Sequence, residues 1–272
     1  MPLLIWIVLF TLLGGVLSVV AASIFLSLPE AWRQRVIPHA ISFAIGALLG
    51  AAFLALLPHA LSGGFDPHRI MLAVLLGVLG FFLLEKLVLW RHCHGNSCSA
   101  VAHDNEHRFD PHHHAHGGEH NHRHNASGIL ILVGDSIHNF VDGVLIAAAF
   151  LTDIELGIVT ALAVAAHEIP QEVGDFAVLL HSGFKRGKAF LYNIISSLTT
   201  VLGGVLAYHS LADTQQYLPF VLAIAASSFI YIAVADLIPG LHRRLDIRGS
   251  LQQITLIGAG VGLIFLAHST LH

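Results

Sequence analysis

The chain has 272 residues, 55% of them hydrophobic and only 11% charged, and a formal net charge of −4 with histidine neutral. Its mean hydropathy is +0.75, and soluble domains are about a quarter charged. So few charges cannot cover a water-facing surface, which excludes a soluble enzyme or binding domain and leaves an integral membrane protein; no basic patch with interleaved aromatics points to nucleic acid.

Eight apolar runs reach the roughly 20 residues that a spanning helix requires: 3–27, 38–58, 69–90, 128–151, 156–180, 188–209, 217–239 and 250–270. The expected fold is therefore an all-α membrane protein with eight transmembrane helices. Only Met1 and Pro2 precede the first run, which lacks a basic leader and is longer than a signal sequence's apolar stretch, so it reads as a retained helix. Residues 1–91 hold helices 1–3, 92–125 a hydrophilic loop, 126–181 helices 4 and 5, and 182–272 helices 6–8; no soluble domain is expected. Lys and Arg mark the cytoplasmic side. Arg33 and Arg35 fall between helices 1 and 2, and Lys86, Arg91, Arg108 and Arg123 in or beside the segment between helices 3 and 4. Lys185, Arg186 and Lys188 fall between helices 5 and 6, and Arg243, Arg244 and Arg248 between 7 and 8. Of the 13 basic residues only Arg69 lies on the other side, where Asp66, Asp153, Glu155 and Asp213 occur. Both termini are expected outside the cytoplasm, in a multi-pass protein of the plasma (inner) membrane.

Helix 1 carries Gly14, Gly15, Ser18, Ala21 and Ala22, small residues that permit close packing. Helix 2 is expected to end at Pro58–His59 and helix 7 at Pro239–Gly240. Aligning the two prolines matches Ala44 with Ala225, Gly46 with Ser227, Ala47 with Ser228 and Ala52 with Ala233. These helices run in opposite directions. The match therefore points to helices 1–3 and 6–8 as inverted repeats around central helices 4 and 5, a 3+2+3 arrangement.

Residues 92–125 have no apolar periodicity and are expected to be disordered. Eleven of the 21 histidines lie there: His92, His94, His103, His107, His112, His113, His114, His116, His120, His122 and His124. With Cys93, they are expected to form weak, exchangeable sites for zinc-like metals, a sensor or buffer. Cys93 and Cys98 face a reducing compartment, which argues against a disulfide. On helix 6, Asn193, Ser196, Ser197, Thr199 and Thr200 can hydrogen-bond neighbouring helices. His209, His268 and His272 lie near the outer interface and read as solvated.

Helices 4 and 5 carry the chemistry. Helix 4 contains Asp135, His138, Asn139 and Asp142, and helix 5 contains His167, Glu168, Gln171, Glu172 and Asp175. An unpaired charge inside the bilayer costs several kcal/mol. A single His or Asp could be a buried polar pair that sets helix register, but nine polar groups on two consecutive helices point to a ligand. Residues i and i+4 share a helix face. Asp135, His138 and Asp142 form one stripe with Asn139 beside it; His167 and Gln171 form another, beside Glu168, Glu172 and Asp175. Imidazoles, carboxylates and amides suit Zn²⁺, and also Fe²⁺, Mn²⁺, Co²⁺ or Cd²⁺, while the lack of thiolate disfavours Cu⁺. Two stripes on each helix could hold two ions, with Asp142 and Glu172 as bridging carboxylates. Pro170 frees a backbone carbonyl beside the ligands. Asp135 and Asp175 are candidates to orient the ligands or line a pathway, His59 to line its outer entrance and Asp236 its cytoplasmic exit.

The runs His138-Asn-Phe-Val-Asp142-Gly and His167-Glu-Ile-Pro-Gln-Glu172-Val-Gly-Asp175-Phe resemble the fourth- and fifth-helix signatures of the ZIP (Zrt-, Irt-like) metal transporters, most nearly the subfamily with a HExPHExGD fifth helix. The resemblance covers the whole chain. It implies import of zinc or a related divalent metal into the cytoplasm, a binuclear site between helices 4 and 5, and a homodimer. By that resemblance His138, Asp142, His167, Gln171 and Glu172 map to one metal position, and Asn139, Asp142, Glu168 and Glu172 to the other. The chain departs from the subfamily pattern in Gln171, which stands where a His is usual, in Ala51 and Ala55, which stand where helix 2 usually carries Asp and His, and in Gly240, which replaces a Glu.

Two other functions fit parts of the pattern. His138-xxx-Asp142 fits a cation-diffusion-type exporter, although that family typically has six helices and a soluble C-terminal domain. His167-Glu-Ile-Pro-Gln171 approaches the HExxH of a zinc hydrolase but lacks its second imidazole, so no enzyme is expected. No nucleotide motif is present, and two charges moving inward across 100 mV release about 4.6 kcal/mol without ATP. Loading requires unprotonated imidazoles and ionised carboxylates, so uptake is expected to fall as pH drops toward about 5.

Overall fold

The computed structural model describes residues 2–92, 119–241 and 247–271. These residues contain helices and no strand: α1 (Leu3–Leu26), α2 (Glu30–Ser62), α3 (Pro67–His92), α4 (Glu119–Thr152), α5 (Ile154–His181), α6 (Arg186–Leu211), α7 (Gln215–Leu241) and α8 (Ile247–Leu271). All but α5 are long and apolar enough to cross a membrane. The exception has 28 residues, about 42 Å of helix, and is set apart by its acidic residues, not by its length. Helices are the natural solution here, because hydrocarbon offers no partner for a bare backbone N–H or C=O.

The helices run past the apolar stretches that define them. Arg33 and Arg35 lie in the first turns of α2 and not in a loop; Arg186 and Lys188 lie in α6, and Arg248 in α8. The helix of α4 likewise reaches back to Glu119 and takes in His120, His122 and His124, which the sequence placed in a disordered loop. Once an apolar run has formed a helix, each further residue adds a hydrogen bond without a new nucleation step. Cys93, His94, His112, His113, His114 and His116 lie outside the described residues.

The two prolines do not end their helices. A π-helical turn, Ala51–Leu56, precedes Pro58 in α2, and another, Ile232–Leu237, precedes Pro239 in α7. A proline lacks a donor and crowds the carbonyl four residues back. A widened π turn absorbs that mismatch, and the chain stays helical to Ser62 and Leu241.

Packing is organised in pairs. On the periphery α2 packs on α8 and α3 on α7. Within the centre α4 packs on α6, α5 on α1, and α4 on α5; α2 reaches α5 and α7 reaches α4. Only 6% of the apolar window of α3 and 11% of that of α8 is buried, against 67% in α2, so α3 and α8 are the outermost helices. The α4–α6 contact depends on glycine. A Cβ on Gly143 would run into the Thr200 carbonyl, and one on Gly203 into the Phe140 carbonyl, so neither position admits a side chain without moving backbone. Only Asp153 separates α4 from α5. It is extended (φ −159°, ψ 144°), and its carboxylate accepts from the N–H of Glu155 at 2.7 Å and of Leu156 at 3.3 Å, which caps α5 and sets the two helices side by side.

Candidate metal centre

The α4–α5 pair brings four side chains to one point. Donor atoms of His138, Asp142, His167 and Glu168 all lie within 4.8 Å of one another. The two Nε2 atoms are 3.3 Å apart. His138 Nε2 lies 3.4 Å from Glu168 Oε1 and 3.8 Å from Asp142 Oδ2; His167 Nε2 lies 3.3 Å from Asp142 Oδ2 and 3.7 Å from Glu168 Oε1. Four ligands at zinc's usual bond lengths of about 2.0–2.1 Å in a tetrahedron would be about 3.3–3.4 Å apart. The observed separations are close to that spacing.

Each ligand is aimed by its helix. His138 and Asp142 are one turn apart on α4, and His167 and Glu168 are neighbours on α5. His167 Nδ1 lies 3.1 Å from the Ala163 carbonyl. That oxygen can only accept, so the ring proton belongs on Nδ1 and the Nε2 lone pair faces the group. Asp142, His167 and Glu168 are buried and His138 is partly exposed. Neither carboxylate oxygen of Asp142 or Glu168 has a hydrogen-bond donor. Buried carboxylates without donors are costly, and a divalent cation is one group that could supply what they lack.

The other sequence-expected residues are placed differently. Asn139 is buried on α4, and its side chain is engaged elsewhere. Its Nδ2 donates to Asp135 Oδ1 at 2.9 Å, and its Oδ1 accepts from Thr200 Oγ1 at 2.7 Å. Asp135 Oδ2 accepts from Ser196 Oγ at 2.5 Å, so Asp135 and Asn139 tie α4 to α6. Glu172 is fully buried, yet it lies outside the four-donor group. Asp175 is half-buried and also outside it, and Gln171 is half-buried one turn after His167. Asn139 follows His138 and so points about 100° around α4 from it, toward α6, whereas Glu172 shares the face of Glu168 but lies one turn further along α5. His59 is remote from the group. Its Nδ1 lies 2.8 Å from the Ala55 carbonyl, and it lines a cavity of about 500 Å³ together with Phe65, Thr152 and Gln215. Asp236 is exposed on α7, which meets α3 through the Tyr231 hydroxyl donating to Glu85.

One buried residue was given no role at the site by the sequence. Asn193 on α6 is fully buried, and its side-chain amide faces the Glu172 carboxylate. A polar stripe on α6 was the available signal: Asn193, Ser196, Ser197 and Thr200 recur at three- and four-residue spacing and are all buried.

Comparison with known proteins identifies the family. Residues 2–268 match the family described as ZIP Zinc transporter. The chain is 33% identical over 270 residues to "Zinc transporter ZIP13" of Homo sapiens, covering 87% of this chain and 71% of that protein. It is 32% identical over 250 residues to the protein of the same name from Pongo abelii, covering 87% of this chain and 67% of that one. Similarity to "Zinc transporter ZIP4" of Homo sapiens is 36% over 142 residues, 51% of this chain and 22% of that protein.

Proposed function

Since this chain belongs to the ZIP zinc transporter family, whose members are metal transporters and not enzymes, we propose that it carries Zn²⁺ into the cytoplasm along a path between α4 and α5. The observation that carries this reading is the convergence of His138, Asp142, His167 and Glu168 within 4.8 Å, with donor-free buried carboxylates. Zinc is the cargo. The four residues exchange its hydration shell for two imidazole nitrogens and two carboxylate oxygens, so the ion enters hydrocarbon without losing its ligands. Fe²⁺, Mn²⁺, Co²⁺ and Cd²⁺ are further candidates on ligand chemistry alone.

The inward direction rests on reading the basic flanks as cytoplasmic, with both termini outside a plasma (inner) membrane, and on the membrane potential. A path can be drawn from the His59 cavity, through the four-donor group, past Glu172, Asp135 and Asp175, toward the basic side, with Asp236 near its end. We assign one ion to the four-donor group. Glu172, a buried carboxylate facing Asn193 and one turn from Glu168, is the lead for a second ion and so for a binuclear site, with Gln171 at its side. Asn139 contributes by holding α4 in register, because its oxygen is already engaged by Thr200.

Support for the 3+2+3 inverted repeat comes from two independent features. The π turns of α2 and α7 each end two residues before the aligned prolines. Exchanging α1 with α6, α2 with α7, α3 with α8 and α4 with α5 also carries the main packing pairs onto one another: α2–α8 onto α7–α3, α4–α6 onto α5–α1, and α2–α5 onto α7–α4. With that division, we read the His-rich segment before Glu119, including Cys93, His94, His112, His113, His114 and His116, as a cytoplasmic metal sensor. A homodimer is carried by the family resemblance, and the exposed apolar face of α3 is where a second copy or lipid would lie.

The test is ⁶⁵Zn²⁺ uptake into proteoliposomes. Wild type should accumulate zinc, and His138→Ala and Asp142→Ala should reduce uptake to background with the protein still monodisperse. Undiminished uptake in both variants would remove the ion from this group. The two competing functions lose their footing with the family assignment, since neither a cation-diffusion exporter nor a hydrolase shares it.

A further inference from the structure

A second polar concavity lies away from the ion path. The ends of α1 and α5, the start of α6 and the first turns of α2 enclose a cavity of about 360 Å³. One part of its wall is cationic and hydroxylic: Arg33 and Arg186 bring two guanidinium groups, and Ser23 and Ser27 two hydroxyls. Arg33 Nε is shut off from solvent with no hydrogen-bond acceptor, and Ser23 Oγ is in the same state. The Ser27 hydroxyl is already committed to the Ser23 carbonyl at 3.1 Å. A buried donor without an acceptor costs about 1–3 kcal/mol, so this wall asks for an acceptor that the protein does not provide.

The backbone points the same way. Helix α6 starts here, and its N-cap, Lys185, offers no side-chain acceptor to the first-turn N–H groups. Gly187 lines the cavity, and nothing lies within 4 Å of the place its Cβ would take, so the first turn is open on that side. The positive end of a 26-residue helix favours an anion. Among the described residues, no carboxylate lines the cavity. The remaining wall is apolar, made by Leu26, Phe176, Leu180 and Phe190. Donors and positive charge on one side, with aromatic and aliphatic surface on the other, match an amphipathic anion at the depth where the basic residues gather. A free phosphate would leave the apolar wall without an occupant.

We propose that this cavity seats the phosphate headgroup of an anionic phospholipid, with Arg33, Arg186 and the α6 N-terminus on its oxygens and an acyl chain along Phe176 and Phe190. The lipid would bridge α1, α2 and α6 to α5, the helix that carries His167 and Glu168. The site is independent of which ion the protein moves.

Native mass spectrometry of the full chain, released from detergent with phosphatidylglycerol, phosphatidylcholine or inorganic phosphate, tests it. The expected result is one phosphatidylglycerol held per chain in preference to phosphatidylcholine. Each of Arg33→Gln and Arg186→Gln should weaken that binding about fivefold, the increment of one basic residue at a lipid surface, and the double variant should erase the preference. Arg33→Lys keeps the charge and should retain part of the binding, which separates the effect from misfolding. Arg248→Gln removes a basic residue outside the cavity and should change nothing. Equal loss in Arg248→Gln, or no loss in the cavity variants, would overturn the proposal in favour of diffuse surface attraction. Competition by inorganic phosphate at concentrations matching the lipid would overturn it in favour of a free-ion site.

Discussion

At the scale of single residues, the site is a matter of which lone pairs face one another. His138 Nε2 and His167 Nε2 stand 3.3 Å apart, and nothing but a shared proton or a shared cation makes that approach favourable. Removing one imidazole should therefore weaken zinc binding by about 100-fold or more, beyond the 10–100-fold typical of losing a residue that only orients a ligand. His167→Ala should abolish the zinc-induced rise in melting temperature that selective binding to the folded state produces, and a thermal scan with and without Zn²⁺ checks this. Thr200→Val is predicted to act differently. It leaves the Asn139 oxygen buried without its donor and loosens α4 against α6. Uptake should fall several-fold while the chain still binds zinc, a pattern that transport and thermal-shift measurements on the same preparation would reveal. The facing of His138 and Asp142 was readable in the sequence because an i,i+4 relation is local. The engagement of Asn139 by Thr200 was not, since it joins residues 61 positions apart.

At the scale of helices, the decisive features are caps, glycines and prolines. Asp153 alone separates α4 from α5 and caps the latter. Asp153→Ala should lower stability by about 1 kcal/mol, measured as a shift of the unfolding midpoint in one fixed detergent; an unchanged midpoint would mean that packing, not the cap, sets the start of α5. Gly143→Leu is expected to be far more damaging, because the side chain would have to displace the Thr200 carbonyl. Loss of monodisperse protein and of uptake together is the expected outcome. Sequence reasoning located Pro58 and Pro239 and aligned them, but took each as a helix end. The absence of a proline donor is local and visible; the π turn that lets the helix continue depends on the whole helix being held in place by its neighbours.

For the whole molecule, the main expectation is that the ion path and the His-rich segment are separable. Deleting residues 94–118, which stops short of the helix that begins at Glu119, should leave more than half of the zinc uptake in proteoliposomes; a total loss would put those histidines on the path. Membrane residence, eight helices and the identity of the polar pair were all determined by the sequence alone, because apolar length, charge content and helical period are properties of contiguous residues. What only the tertiary structure decided is which donor atoms converge. Asp142 and Glu168 meet the two histidines, Asn139 and Asp135 are drawn off to α6, and Glu172 faces Asn193 instead. The physical reason is that a metal site is specified to within about 1 Å by the rotation and rise of one helix against another. That relation is set by glycine contacts and interhelical hydrogen bonds between segments far apart in the chain.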